Sequence, residues 1–377
     1  PKFRYLTWTN RVPMTVTRLG ITLLGLMHVA KLVSSQDEGP CLDQQAACAT
    51  TLLSIRSQTQ SQTMSQRQRQ HSQLQQQPRR VVIQLRAGIT GGPEALAQLA
   101  LAVLDSGNAK LGLIGELDPY YAAEYPDLWA VLSERMLPVD NLNQDDTVVV
   151  PNVVQCAPIG KVQAPHIWLL GVDNPGPDGC PRLSHTHWLA QRANVRTENV
   201  LLPYLTPSMV KHAVETAGLQ PDGSFKDLAN LASRKEQTVL VNEEEIAGKI
   251  EGVSQELKNA GVNVIVVTGY SRQSLLELQL KAKVVLAFCM HGAERMPLES
   301  VLHGAVFFTD TCLNGAGKDD FPLSEQHRAI SAEGILNALH NYEKEVMDPG
   351  QVRLRRLYGF EINRESMAQD VHRWIGS

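Results

Sequence analysis

The chain has 377 residues, a net charge of −4 and a pI of about 6.3, enough length for two ordinary domains and a tail. Apolar residues at 43% and charged residues at 20% exclude disorder throughout, and the absence of a basic excess argues against a nucleic-acid partner. Aromatics at 5% disfavour stacking-based binding of sugar or single strands, and six cysteines are too few for a disulfide scaffold in so long a chain.

The first apolar run, Leu19–Ala30 (LGITLLGLMHVA), follows Arg11 and Arg18. It is shorter than the roughly 20 residues of a free-standing membrane helix. A basic flank, a short apolar core and Val33-Ser34-Ser35 predict a signal anchor or signal peptide over 1–35. From Gln58 to Gln77 ten of twenty residues are Gln, a composition that buries too little apolar area to offset chain entropy. Residues 36–78 are therefore expected to form a disordered Gln/Ser-rich stem. Anchor, stem and body together match a single-pass Golgi-type enzyme with a lumenal body; an organelle-targeted or secreted protein is the alternative. In such a lumen Cys41 and Cys48 either pair with each other or stay as thiols.

The body opens on Val81–Leu85, a β-branched run suited to a buried parallel strand. Gly88, Gly91 and Gly92 form a tight loop, and Pro93 suits a first helical turn. Leu96, Leu99, Ala100, Val103 and Leu104 then share one helical face, with Gly107 as the stop. Strand, glycine loop and helix make the opening unit of a doubly wound fold. The spacing is not GxGxxG, so a loop that lets substrate approach the backbone is the better reading than a dinucleotide site. Further strands are expected at Leu111–Ile114, Asp146–Val150, His166–Val172 and Asn199–Leu205, with Pro203 and Pro207 marking a crossing.

The pattern then restarts. Strands are predicted at Thr238–Val241, Asn263–Thr268, Val284–Phe288 and Ala305–Thr309, with helices at Ala247–Ala260, Ser271–Lys281 and Met296–Leu302. A helical C-terminus runs through Trp374. The expected architecture is α/β: two Rossmann-like domains, 79–207 and 208–345, facing across a cleft, with a helical tail over 346–377.

The stretch Lys281–Asp310 carries most of the chemistry. A buried strand ends at Phe288, and a loop of small and polar residues leads to Pro297 and a helix holding Glu299. Gly304 ends that helix, and a second buried strand follows. This arrangement resembles the donor-site motif of glycosyltransferases of the GT-B fold. Their first acidic position is filled here by His291, and Glu299 matches the second. A narrower similarity links IWLLGVDN (Ile167–Asn174) and KVVLAFCMHGAERMPLES to bacterial surface-polysaccharide glycosyltransferases of family 1/4-like type. On that alignment Asp173, Asn174, Glu294, Arg295, Pro297 and Glu299 match.

The resemblance implies a nucleotide-sugar donor bound in 208–345 and a hydroxyl acceptor, such as a glycan, bound in 79–207. Glu299 would hold the ribose hydroxyls, as a carboxylate at a first helical turn can. Gly292 would keep the loop thin for a diphosphate, and Glu294 and Arg295 either contact the donor or pair with each other. His291 would touch phosphate or sugar hydroxyls, and Asp173 would be the general base for the acceptor. Gly91 and Gly92 form the acceptor-side loop. No metal or other cofactor is expected. His185 and His187 in SHTHW lack a third zinc ligand and suit a helix start. Lys318, Asp319 and Asp320 read as a solvated loop. Glu243-Glu244-Glu245 would repel a diphosphate if they faced the cleft, which leaves a non-catalytic glycosyltransferase-like binding protein as the alternative.

Overall fold

A computed structural model describes residues 79–88, 90–171, 179–242, 247–292 and 294–377. The expected anchor, stem, Cys41 and Cys48, together with Asp173, Asn174 and Glu243–Glu245, lie outside the described residues.

The first half begins with strand β1 (Arg80–Leu85), helix α1 (Gly91–Ser106) and strand β2 (Lys110–Gly115). A short helix α2 (Tyr121–Glu124) and α3 (Pro126–Arg135) lead to β3 (Thr147–Pro151), β4 (His166–Leu169) and β5 (Arg182–Ser184). Helix α4 (His187–Arg192) follows, and α5 (Pro207–Ala217) and α6 (Leu228–Ser233) make the passage to the second half. There β6 (Glu236–Asn242), α7 (Ala247–Asn259), β7 (Asn263–Val267) and α8 (Arg272–Lys281) precede β8 (Ala282–Ala287), α9 (Arg295–Leu302) and β9 (Val306–Thr309). Helices α10 (Ala332–His340), α11 (Tyr342–Val346), α12 (Pro349–Arg356) and α13 (Arg364–Gly376) complete the chain.

The strands form two sheets, ordered β2-β1-β3-β4-β5 and β7-β6-β8-β9, and every pairing is parallel. The molecule is thus mixed α/β with two parallel sheets, compatible with two Rossmann-like halves. In both orders the chain steps outward from the first strand, then returns past it. That reversal opens a crevice at the carboxyl ends of β1/β3 and of β6/β8, where such sheets bind ligands.

Strand alternation explains the core. Val81, Ile83 and Leu85 face α1, whose Leu96, Leu99, Ala100 and Val103 are wholly buried. Val82 points the other way, with Val148, Val150, Ile167 and Leu169, into a second cluster closed by Leu142, Val162 and Leu189. With helices on both faces the strands read as continuous apolar runs, and each buried Leu or Val contributes about 1.5–3 kcal/mol.

Two expectations need correction. Asn199–Leu205 is not a strand: Leu201 N makes one bond to Ser184 O and Val200 one bridge. Pro203 has no N–H to extend the ladder, and the edge strand is Arg182–Ser184 instead. The C-terminus is helical, and its last helix packs on the first half. Arg364 on α13 binds Asp105 of α1 and Asp127 of α3, and Trp374 packs edge-on against His166 with ring centroids 5.6 Å apart. Asp320, expected in solvent, is buried. Its carboxylate accepts from His187 N and Trp188 N, both at 2.9 Å, and so caps α4 from the other half of the chain.

The body cysteines are paired, which the sequence reading did not anticipate. Cys156 joins Cys180, and Cys289 joins Cys312. Each bond closes a loop of some two dozen residues, a constraint on the unfolded chain of about 3 kcal/mol. A thermal melt in reductant is expected to fall by several degrees from the oxidised value; coincident melts would show that neither bond contributes.

Candidate functional site

A cavity of about 770 Å3 lies at the carboxyl ends of strands from both sheets. Its walls come from the segments after β1 (Arg86 to Gln98), after β3 (Asn152, Val153), after β4 (Leu170, Gly171) and after β5 (His185). The second half supplies His291, Gly292, Glu294, Arg295, Met296 and Leu298, from the loop after β8 and the start of α9. The volume falls within the range of small-molecule sites.

Local sequence explains how these loops converge. After β1, Gly88 takes φ +118°, a conformation that L side chains rarely adopt. It turns the chain so that α1 begins at Gly91. Across the cavity, Gly292 lies so close to β4 that an added Cβ would sit 2.9 Å from Leu170 O and 3.5 Å from His185 Nε2. A side chain there would force the two halves apart. The N-terminal ends of α1 and α9 both face the cavity, and the α1 N-cap Thr90 makes no side-chain bond to the helix amides. Both helix dipoles favour negative charge there.

Within and beneath the wall lies a chain of buried polar groups. Glu299 is 1% exposed and does not line the cavity. Its Oε1 and Oε2 accept from Arg272 Nη1 at 2.9 and 2.8 Å, Oε1 also accepts from Arg295 Nη2 at 3.0 Å, and Oε2 from Gln279 Nε2 at 3.3 Å. Arg295 reaches across to the first half and pairs with Glu94 on α1. Glu94 is also 1% exposed, and its Oε1 accepts from Tyr125 Oη at 2.7 Å. Tyr125 Oη in turn accepts from Gln98 Nε2 at 2.8 Å, and Gln98 bonds both N and O of Tyr204. Burial lowers the Arg295 pKa from its ordinary value, and Glu299 opposes that. Two cations and two anions therefore neutralise one another along Arg272–Glu299–Arg295–Glu94, linking α8, α9 and α1.

His185 is fully enclosed, with Nδ1 2.6 Å from Leu169 O. Since a carbonyl only accepts, Nδ1 carries the proton. Burial pushes the pKa of the ring down to about 4 and keeps it neutral. His187 starts α4, as expected, and lies 3.0 Å from Asp320, which raises its pKa. Among the described residues Cys289, Asp310 and Cys312 come close enough to hold a metal, but the two sulfurs are bonded to each other. Asp310 Oδ1 accepts from the backbone N of Cys289 at 2.9 Å and of Cys312 at 3.3 Å, which gives that carboxylate a structural task.

Six of the predicted site residues thus share one cavity: Gly91, Gly92, His291, Gly292, Glu294 and Arg295. Glu294 Oε1 accepts from Gly292 N at 3.2 Å and so braces the loop. Glu299 departs from its expected role. With four bonds from two arginines and a glutamine it has no oxygen left for a ribose diol, and it orients Arg295 instead. Glu94, Arg272, Gln279 and His185 are the contributors not foreseen as a site. Glu94 and Gln98 did leave a sign: they are polar positions i and i+4 in an otherwise apolar helix face.

No known protein-family model matches this chain. A search of curated proteins likewise finds no match.

Proposed function

We propose that the protein is a glycosyltransferase of GT-B type that moves a sugar from a nucleotide-diphosphate donor to a hydroxyl acceptor such as a glycan. The observation that carries this reading is the convergence of the loops after β1 and β8 on a single cavity at the carboxyl ends of two parallel sheets. The loop after β8 carries the resemblance to the donor-site motif, and the loop after β1 is the expected acceptor-side loop. The donor would lie against Gly292, His291 and Arg295, with the acceptor toward Gly91, Gly92 and Asn152. The transfer forms a bond from the acceptor oxygen to the anomeric carbon, with the hydroxyl proton passing to a general base, the part expected of Asp173, and breaks the bond to the diphosphate, which leaves with the electron pair. Positive helix ends and Arg295 are suited to receive that charge.

Two disulfides suit an oxidising compartment such as the secretory lumen, and an N-terminal anchor at Leu19–Ala30 belongs to the same proposal. Among the described residues no helix is long and apolar enough to cross a membrane.

The test is release of nucleoside diphosphate from a panel of sugar nucleotides, with and without glycan acceptors. Gly92→Leu is the control. A Cβ at Gly92 meets only Leu170 Cδ1, at 4.0 Å, so the variant is expected to fold and to lose turnover at least tenfold by filling the cavity. Turnover with none of the donors, or unchanged turnover in Gly92→Leu, contradicts the assignment.

A further inference from the structure

We infer that Glu94 occupies the place of a ligand phosphate on Arg295, so that the cavity is an anion subsite closed by an exchangeable ion pair. This rests on the functional reading only for the identity of the full donor; the anion chemistry stands on the site itself.

Three features of the Arg295 guanidinium support it. Nη2 is committed to Glu299, which Arg272 holds from behind. Nη1 pairs with Glu94, from the opposite half of the chain. Nε is buried and has no hydrogen-bond partner among the described residues. A buried guanidinium donor left without an acceptor carries the full desolvation cost of that group, and an arriving oxygen would relieve it. The residue is also not sealed in: its side chain keeps 21% exposure and lines the cavity.

The geometry allows exchange on the Glu94 side only. Glu299 is fixed by three donor groups on its own half. Glu94 has Tyr125 besides Arg295, so it retains one bond when the cation turns to a ligand. A phosphate or diphosphate oxygen can take the Nη1 donor that Glu94 holds, in a charge-assisted bond, whereas Glu94 also has to span two halves of the chain. The ligand class is therefore a phosphate ester or diphosphate, and its entry releases Arg295 from α1. The empty site is held together by the pair that the ligand replaces, so binding and loosening of the contact between the halves are one event.

The probe is inorganic pyrophosphate, titrated calorimetrically into the full-length protein. Glu94→Gln keeps an acceptor for Tyr125 and removes the competing charge, so pyrophosphate should bind roughly tenfold tighter than to the wild type. Arg295→Lys loses the guanidinium donors and should bind at least tenfold weaker, while Arg353→Lys, on the surface and outside the cavity wall, should stay within about twofold. Equal or weaker binding by Glu94→Gln overturns the inference, as does wild-type affinity in Arg295→Lys, which decides the matter if Glu94→Gln does not fold. Pyrophosphate binding in the predicted order without sugar transfer would leave the exchange standing and remove the transferase reading. Sugar transfer with the wrong order of affinities would do the reverse.

Discussion

Replacing Glu299 by Gln is expected to cost about 3–5 kcal/mol of folding stability. The carboxylate is the shared counter-charge of Arg272 and Arg295. A neutral amide would leave the more buried guanidinium with Glu94 alone and turn an N–H2 toward two cations. Arg272→Met is the informative contrast. Arg272 is 33% exposed, its charge is partly solvated, and Glu299 would keep Arg295, so the expected cost is about 1–2 kcal/mol. Urea unfolding of both variants separates the cases. If Glu299→Gln lies within 1 kcal/mol of the wild type, the four-charge chain does not hold α1, α8 and α9 together.

Acid is expected to unfold the protein below about pH 5. Burial pushes the pKa of His166 and His185 down to about 4 and that of His303 to about 3. In the unfolded chain each titrates near 6.5. A folded pKa below the unfolded one means that the native state prefers the neutral ring. The stability is complete above about pH 6.5 and is lost as pH falls toward the folded values.

The geometry at His303 makes the reason concrete. Its Nδ1 donates to Glu299 O at 2.8 Å, so Nε2 accepts from His212 Nδ1 at 2.8 Å. A second proton on His303 would set two N–H groups against each other. The three rings together remove about 5 kcal/mol between pH 6 and 4.5, a large part of a typical 5–15 kcal/mol total. His187, raised by Asp320, works in the opposite sense, but it is half exposed and smaller in effect. Thermal melts from pH 7 to 4.5 check the sum, and a flat profile would contradict it.

The parts of the fold that the sequence made legible are those where one local signal decides. Val81–Leu85 and Val284–Phe288 are short apolar runs each followed by a glycine-containing loop, and both are central strands within a residue or two. The site loops were legible for the same reason, since Gly91-Gly92 and Gly292 follow directly on such strands. β5 was not, because three residues containing Arg and Ser carry no periodic signal, whereas the apolar NVLLPYL beside it buries Leu201, Tyr204 and Leu205 without a ladder. The Arg272 partner of Glu299 was hidden as well. Arg272 lies 27 residues upstream on another helix, and no spacing rule joins them. Cysteine pairing is equally unreadable from spacing alone, so the link from β8 to the segment after β9 through Cys289–Cys312 emerged only in three dimensions.

The central claim is that the cavity between the two sheets takes a nucleotide-diphosphate sugar. Its most direct test is calorimetric titration of the full-length protein with a panel of such donors. The account predicts saturable binding at one site per chain for at least one of them, displaced by the matching nucleoside diphosphate and by pyrophosphate but not by the nucleoside, and absent in Gly92→Leu. No binding to any member of the panel, or binding that pyrophosphate leaves untouched, would contradict it.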